Sequence, residues 1–227
     1  EGSESATWYA NHNYHWTNVA GMNVNVSHAT KYGTTNLGAD YRYEGIFSNV
    51  LGLSMKDTMT AIFDKEGFYT KSANRNNIGL SLEHVFRTRK IQAVAGLMLN
   101  YNTLFGEVNW NPGVDFSYQL NERWKLLASA NTALRLPTYT DLYYNGPTNI
   151  GNPDLKAEES VNVEMGVVHK SRKVAGLSLH ANTYYAWGKN TIDWVRSSDT
   201  LKWQPMNHTS LQTGGVEATL RIKPGQL

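Results

Sequence analysis

The residues best suited to chemistry are three tyrosines and an asparagine in the second half of the sequence, Tyr139, Tyr143, Tyr144 and Asn145. Tyrosine combines a flat apolar ring with a polar hydroxyl, and asparagine both donates and accepts hydrogen bonds. Such groups suit non-covalent binding of a large amphipathic ligand. Arginine and lysine, which bind strongly anionic ligands, are not clustered in this segment. We therefore predict that these four residues are the best candidates for binding a large amphipathic ligand.

Catalytic and metal-binding patterns are weak throughout the sequence. His12 and His15 form an H-x-x-H pair, but it follows no helix signal and has no acidic partner at a useful spacing. Asp57, Asp64 and Glu66 carry carboxylates that suit calcium, yet the D-x-D-x-D-G spacing is missing, and a solvated loop is the favoured interpretation. There is no G-x-S-x-G elbow and no glycine-rich phosphate loop. We expect no enzyme activity, no metal and no cofactor.

Composition limits the possible partners and compartments. The 227 residues carry a formal net charge of +2 with scattered basic residues, so nucleic acid is not an expected partner. The chain has no cysteine and therefore no disulfide or thiolate metal site. No run approaches the roughly 18 apolar residues of a transmembrane helix. Without an internal linker, an initiator methionine or a signal peptide, residues 1–227 are interpreted as one unit, a mature or excised piece.

Long stretches of the sequence alternate between apolar and polar residues, which is the period of a β-strand with two different faces. Residues 124–135 alternate over about twelve positions, whereas globular strands have about five or six residues and bilayer-crossing strands about nine to eleven. We predict about nine long antiparallel strands. The predicted outward-facing residues are Leu97, Leu99, Phe116, Tyr118, Leu126 and Ala128, and the predicted inward-facing residues are Asp115, Gln119, Ser129 and Asn131.

The connections between these strands fall into two classes. Long loops are predicted at residues 50–75 and 137–157, whereas the other connections include short polar turns. The short turns lie at residues 31–33, 88–90, 121–123 and 171–173. Short turns on one rim and long loops on the other are typical of membrane barrels. A soluble β-sandwich is the alternative fold, since it shows the same alternation, but it accounts less well for strand length and loop asymmetry together.

A two-part motif accompanies the predicted loop at residues 137–157. The first part is Arg135-Leu-Pro-Thr-Tyr-Thr-Asp-Leu-Tyr-Tyr144, and the second is Gly151-Asn-Pro-Asp-Leu-Lys-Ala-Glu-Glu-Ser160. Together they resemble the segment between two late barrel strands of TonB-dependent outer-membrane receptors, written R-x-P-x-x-x-x-L-Y and G-N-P-x-L-x-P-E-x-S. The sequence departs from this pattern at Ala157, where the family has proline. Residues 37–52 are similar to a strand and upper rim of vitamin B12-type receptors, and residues 214–220 to a late G-V-E strand.

The resemblance implies an all-β fold, an antiparallel transmembrane β-barrel of about 22 strands. About nine strands fall within residues 1–227, so the sequence is identified as a middle-to-late portion of such a barrel. The plug of the family and the segment that contacts TonB are not recognisable in it. Lateral strand edges and a lipid-facing surface are therefore expected.

The resemblance also implies a function, which we state as an expectation. The intact protein would be an active transporter in the outer membrane of a Gram-negative bacterium, contacting membrane lipid and drawing energy from the TonB complex through an N-terminal segment. Loops at residues 50–75, 137–157 and 196–200 would contact a scarce nutrient, with cobalamin favoured and an iron siderophore as the alternative. A rival class is a non-transporting surface protein, such as an adhesion or carbohydrate-binding domain.

Overall fold

The computed structural model describes residues 13–62, 66–171, 174 and 176–223, and these residues form ten strands in one antiparallel sheet. The prediction of an all-β fold is confirmed. Across the same ranges, no helix has both the length and the apolar character that crossing a membrane requires. The elements are β1 (His15–Thr30), β2 (Gly33–Ser48), β3 (Leu53–Thr60), β4 (Phe68–Arg87), β5 (Ile91–Asn102), β6 (Val108–Gln119), β7 (Trp124–Arg135), α1 (Tyr139–Tyr143), β8 (Glu158–Lys170), β9 (Leu177–Val195) and β10 (Gln204–Ile222).

The strands follow one another through the sheet as a meander. Their spatial order is β1-β2-β4-β5-β6-β7-β8-β9-β10, with β3 paired to the upper part of β4. Neighbouring strands in this order are antiparallel. β2 and β4 are the one neighbouring pair in this order that is joined through another strand, β3. In the described part of the chain, β1 and β10 form the two edges and the sheet is not closed.

The connections from β1 to β2, from β4 to β5, from β6 to β7 and from β8 to β9 lie on one rim, here called the lower rim. Antiparallel pairing places the remaining connections on the opposite, upper rim. These connections span residues 49–52, 61–67, 103–107, 136–157 and 196–203. The prediction that residues 137–157 form a long connection on the rim opposite the short turns is therefore confirmed.

The prediction of a loop over residues 50–75 is wrong. β3 and the first part of β4 form a hairpin there, joined by residues 61–67. The register of this pair shifts between Ser54 and Met59, a bulge that breaks the two-residue period. Since strict alternation was the signal for a strand, the sequence pattern could not reveal β3. The predicted start of the next loop, after residue 135, agrees with the end of β7.

The register groups side chains into an apolar and a polar face. Directly paired residues lie on the same face of an antiparallel sheet, and the face changes with each step along a strand. Ala93 of β5 pairs with Phe116 of β6, which pairs with Ala128 of β7, so the predicted outward residues share one face. Asp115 pairs with Ser129, which pairs with Glu164 on the other face. The predicted division of residues between the two faces is confirmed.

The apolar face is open to the surroundings. Leu82, Val114 and Phe116 are 49%, 53% and 46% exposed, respectively, although large apolar residues are usually buried. The polar face, in contrast, carries hydrogen bonds that cross several strands. Ser27 donates to Asn36 at 2.7 Å, and Asn36 donates to Glu83 at 2.8 Å. Polar side chains of neighbouring strands thus pair with one another on this face, whereas the large apolar side chains lie on the other.

Strand length varies systematically along the sheet. β5, β6 and β7 have 12 residues each and β8 has 13, whereas β4 has 20 and β9 and β10 have 19 each. The additional residues of β4 and β9 lie above the pairing with their shorter neighbours, at the upper rim. Buried hydrophobic residues concentrate at the same end. They are Ile46, Leu51, Ala61, Tyr69, Leu142 and Leu155.

Candidate functional site

The candidate site is built by residues 136–157, which connect β7 to β8 and are called the rim loop from here on. Pro137 is fully buried and ends the strand, because proline has no N–H for the sheet ladder. Thr138 then caps α1. Its hydroxyl accepts a hydrogen bond from the Asp141 amide at 3.1 Å, and the Asp141 carboxylate accepts one from the Thr138 amide at 2.9 Å. This reciprocal capping box orients a one-turn helix at the start of the loop.

The second half of the rim loop returns along α1 in close contact. Asn152 donates its backbone N–H to the Asp141 carbonyl at 2.8 Å, and Gly151 donates to the Tyr144 carbonyl. A Cβ atom added at Gly151 would lie 2.7 Å from the backbone carbon of Leu142. Only glycine permits this approach, which gives the Gly-Asn-Pro part of the motif a structural reason. Leu142 and Leu155 are buried in the resulting fold of the loop.

One side of the rim loop is attached to β2 and β4. Arg75 of β4 donates from Nη1 to the Pro137 carbonyl at 2.7 Å, and its guanidinium lies 5.1 Å from the ring centre of Tyr139. The Tyr139 hydroxyl donates to the backbone carbonyl of Glu44 at 3.0 Å. Arg75 and Glu44 pair directly in the register and lie on the polar face. The loop therefore crosses the polar face above β5 and β6.

A carboxylate beneath the loop fixes this attachment. Glu44 Oε2 accepts from Arg75 Nε at 2.7 Å, and Glu44 Oε1 lies 2.9 Å from Arg42 Nε. The Glu44 and Arg75 side chains are 14% and 12% exposed, whereas Arg42 is 59% exposed. Because both side chains of the Arg75–Glu44 ion pair are largely shielded from water, its attraction is screened less than that of the Arg42–Glu44 pair. At the base of the loop, Arg135 also donates from Nε to Glu158 at 2.6 Å.

The other side of the rim loop is attached to the connection between β9 and β10. Asn149 and Trp203 form a parallel β-bridge, and Lys202 Nζ donates to the Gly146 carbonyl at 2.7 Å. Asn207 of β10 closes the far end of the loop. It accepts from the Lys156 amide at 2.9 Å and donates to the Lys156 carbonyl at 3.0 Å. The loop is thus tied to the sheet at both of its sides.

Burial favours the neutral forms of Tyr139 and Tyr143. Burial raises the pKa of Tyr139 to about 12, against an opposing effect of the Arg75 cation. Burial likewise raises the pKa of Tyr143, again opposed by Arg75. Both hydroxyls therefore act as hydrogen-bond donors and acceptors at neutral pH. Neither carries a charge that would favour a metal ion or a cationic ligand.

The structure brings the four predicted ligand-binding residues together on the rim loop. The rings of Tyr139 and Tyr143 stack with centres 6.3 Å apart. Tyr144 is half-buried over Gly146, whose hypothetical Cβ would lie 2.6 Å from the Tyr144 hydroxyl. Asn145 is exposed, and its Oδ1 accepts from Lys202 at 3.3 Å. Tyr139 contacts the wall, so Tyr143, Tyr144 and Asn145 are better placed for a ligand above the rim.

Sequence reasoning missed the residues that hold this loop. The loop predicted at residues 50–75 ends at Arg75, and the strand that contains Glu44 has no predicted partner. Lys202 and Trp203 carried no motif, although Arg196 lies over the Trp203 ring at 5.3 Å. Their contacts depend on the register of distant strands. The one signal in the sequence is the opposite charge of Glu44 and Arg75. It predicts their contact only if the pairing of β2 with β4 is already known.

The weaker metal candidates gain no geometric support. His12 and Asp64 lie outside the described residues. Among the residues that are described, no group of three or more histidine or acidic side chains is placed to hold a metal ion.

Long antiparallel strands, an exposed apolar face, a hydrogen-bonded polar face and loops gathered on one rim define the wall of a membrane-type β-barrel. The model of the TonB dependent receptor-like β-barrel family matches residues 2–223, and the chain belongs to this family. Members of the family are outer-membrane proteins and act as receptors or transporters.

Two relatives of the chain are named for different ligands. The vitamin B12 transporter BtuB of Photobacterium profundum is 27% identical over 158 residues, which cover 67% of this chain and 25% of the relative. The ferric enterobactin receptor of Pseudomonas aeruginosa is 32% identical over 114 residues, covering 43% of this chain and 15% of the relative. The chain spans about a quarter or less of the length of these relatives.

Solved structures agree on the fold. The siderophore receptor PirA from Pseudomonas aeruginosa matches with a TM-score of 0.69 and 18% identity, over 92% of this chain and 40% of that one. At this identity the match supports the barrel architecture alone.

Proposed function

We propose that the chain is part of an outer-membrane receptor that binds a scarce nutrient at its upper rim and imports it with energy from the TonB complex. The observation that carries the proposal is the rim loop, which is fixed on two sides above the polar face and presents Tyr143, Tyr144 and Asn145. In the proposed arrangement the apolar face contacts membrane lipid and the polar face lines the interior. The contact with TonB belongs to a segment outside this chain.

Cobalamin is the favoured ligand. It is large, nearly neutral and amphipathic, and it requires broad aromatic contact with a few polar anchors. The rim loop supplies this mixture, and Lys156 is its only lysine or arginine. The similarity to a vitamin B12 transporter supports the same choice.

An iron siderophore is the second candidate, and a separate observation favours it. Lys202 reaches Asn145, and Arg196 lies over Trp203, so two cations and an indole ring adjoin the rim loop. Cations of this kind attract an anionic chelate. The similarity to a ferric enterobactin receptor agrees with this alternative.

Replacing Tyr143 and Tyr144 together by alanine in the full-length receptor tests the site. We expect the Kd for cobalamin to rise tenfold or more, roughly 1.4 kcal/mol, because aromatic contact area is removed. Tyr32→Ala is the control, since Tyr32 is an exposed tyrosine in a turn of the lower rim, far from the rim loop. Calorimetric titration with cobalamin and with ferric siderophores provides the measurement.

The titration also separates the competing functions. Saturable binding of a siderophore without binding of cobalamin would support the receptor function and would assign a siderophore as the ligand. A receptor that binds neither ligand contradicts the nutrient-binding proposal. Uptake of labelled ligand should stop in cells without TonB while binding persists, and TonB-independent uptake would contradict the energy source.

A further inference from the structure

We propose that Arg75 is a positioning residue for ligand binding: it fixes the rim loop across the polar face, so that the loop tyrosines are in place before the ligand arrives. The inference rests on the proposed function and deepens it. It assigns a part in recognition to a strand residue that lies outside the rim loop and acts through it.

The guanidinium of Arg75 joins three parts of the protein. It donates to the Glu44 carboxylate at 2.7 Å and to the Pro137 carbonyl at 2.7 Å, and it lies 5.1 Å from the centre of the Tyr139 ring. These partners are 31 and 62 residues away for the two hydrogen bonds. A side chain that is 12% exposed and has three such contacts is held in one orientation.

Arginine is required at this position by geometry rather than by charge alone. Its planar fork donates in several fixed directions and stacks on an aromatic ring, whereas lysine is a point charge. Pro137 is fully buried, and the helical hydrogen bonds of α1 begin at the next carbonyl, that of Thr138. A buried carbonyl needs a donor, and Arg75 Nη1 provides it.

The rim loop makes a second contact with β2, again at Glu44. The Tyr139 hydroxyl donates to the Glu44 backbone carbonyl, and the Tyr139 ring stacks on Tyr143. The position of Tyr143 therefore depends on Tyr139, and the position of Tyr139 depends on Arg75. Fixing a binding loop in advance reduces the entropy lost when the ligand binds. Loss of Arg75 should accordingly weaken binding although Arg75 need not touch the ligand.

The chain offers a closely matched control. Arg42 shares the Glu44 carboxylate at 2.9 Å, but its side chain is 59% exposed and no contact joins it to the rim loop. Arg75→Gln and Arg42→Gln thus remove the same charge beside the same carboxylate. Only the first change detaches the loop. A third variant, Tyr139→Phe, deletes the hydroxyl while keeping the ring.

The experiment measures loop mobility and affinity in the same full-length receptor. A nitroxide attached at Thr140→Cys reports mobility, because Thr140 is exposed on α1 and residues 1–227 contain no cysteine; any cysteine elsewhere in the receptor is replaced by serine. Cobalamin and a ferric siderophore are the ligands, and retained barrel folding is verified by thermal unfolding. We expect Arg75→Gln to increase label mobility and to raise the Kd of the bound ligand tenfold or more. Arg42→Gln should change the Kd less than twofold, on the order expected for an exposed ion pair.

The variants give distinguishable outcomes. Partial rescue by Arg75→Lys and a smaller loss for Tyr139→Phe in the same direction support the positioning role. Unchanged mobility in Arg75→Gln overturns it, and so does increased mobility with unchanged affinity. Equal losses in Arg75→Gln and Arg42→Gln would assign the effect to net charge and also overturn it. If the wild-type receptor binds neither ligand, the proposed function and the positioning role both fail, while the mobility comparison still decides whether Arg75 holds the loop.

Discussion

The strand wall and the upper rim of this protein are stabilised in opposite ways. In the wall, large apolar side chains such as Leu82 and Phe116 are about half exposed, and the strands are joined mainly by backbone ladders. At the upper rim, Pro137, Leu142 and Leu155 are buried, and side chains bond to loop backbone. The wall thus needs an apolar solvent around it, whereas the rim resembles the core of a soluble protein.

This difference indicates where substitutions will act. A polar change on the apolar face matters because of the surrounding lipid in the proposed arrangement. A change in the rim matters because of packing and hydrogen bonds inside the protein. The two regions can therefore be perturbed separately, and each should respond to a different kind of substitution.

Leu97→Lys should have the largest effect. Leu97 lies near the middle of β5 on the apolar face, and a lysine facing the bilayer midplane costs about 2–4 kcal/mol. Folding of the full-length receptor into lipid vesicles in urea measures the loss. Asn100→Lys, three residues further on the polar face, is the control and should cost much less. The reverse order would mean that the lipid-facing and interior faces have been exchanged.

Gly151→Ala tests packing in the rim. The added Cβ would press on the backbone of α1, so the loop must shift, at a cost of about 1–3 kcal/mol. Hydrogen exchange of the Asn152 amide, which is bonded to the Asp141 carbonyl, should become faster. Gly113→Ala in β6 is the matched control, because its Cβ would meet Asn131 at an ordinary 3.5 Å. If the Asn152 amide exchanged equally slowly in both variants, the close approach between Gly151 and the backbone of α1 would be absent.

Thr138→Ala should produce a smaller and more local loss. It removes the N-cap of α1, which typically contributes about 1 kcal/mol. Exchange of the Asp141 and Leu142 amides should accelerate while amides in β6 keep their protection. Thr140→Ala is the control, because Thr140 lies two residues further along and is exposed. This change should leave α1 as stable as before. Equal acceleration in both variants would exclude the capping box as the cause.

The smallest effect concerns alkaline pH. Tyr139 has a pKa of about 12 in the folded protein against an ordinary value of 10.0, so folding favours its neutral form. The resulting stabilisation is complete below pH 10 and is lost as the pH rises through 12. Comparing tyrosinate absorbance of the wild type with Tyr139→Phe isolates this titration. A Tyr139 titration near 10.0 would show that the ring is not buried at the wall.

Much of the wall could be predicted from the sequence because its signal is local. Alternation over residues 114–120 and 124–135 identified β6, β7 and the face of each residue, since neighbouring positions alone decide it. β3 escaped prediction because its bulge interrupts the alternation. The first and last residues of β3 and the start of β4 are defined by the pairing between these strands, which the sequence pattern does not show.

The rim could be predicted in part. Proline, glycine and the two-part motif located the loop and its tyrosines, and the loop ends where expected, before Glu158. The anchoring of the rim loop by Arg75 and Glu44 depends on hydrogen bonds to Pro137 and Tyr139 over 62 and 95 residues, respectively, which no local pattern encodes. The ligand-binding role of Tyr139, Tyr143, Tyr144 and Asn145 stays a prediction.

The unequal strand lengths have a consequence for access to the interior. With about 3.4 Å per residue, the 20 residues of β4 extend roughly 27 Å further along the strand than the 12 residues of β5. The upper edge of the wall is therefore lowest above β6 to β8, and it rises on both sides, at β3 and β4 and at β9 and β10. The rim loop spans this low point from one height to the other. A molecule taking the shortest route over the wall must pass directly across the rim loop.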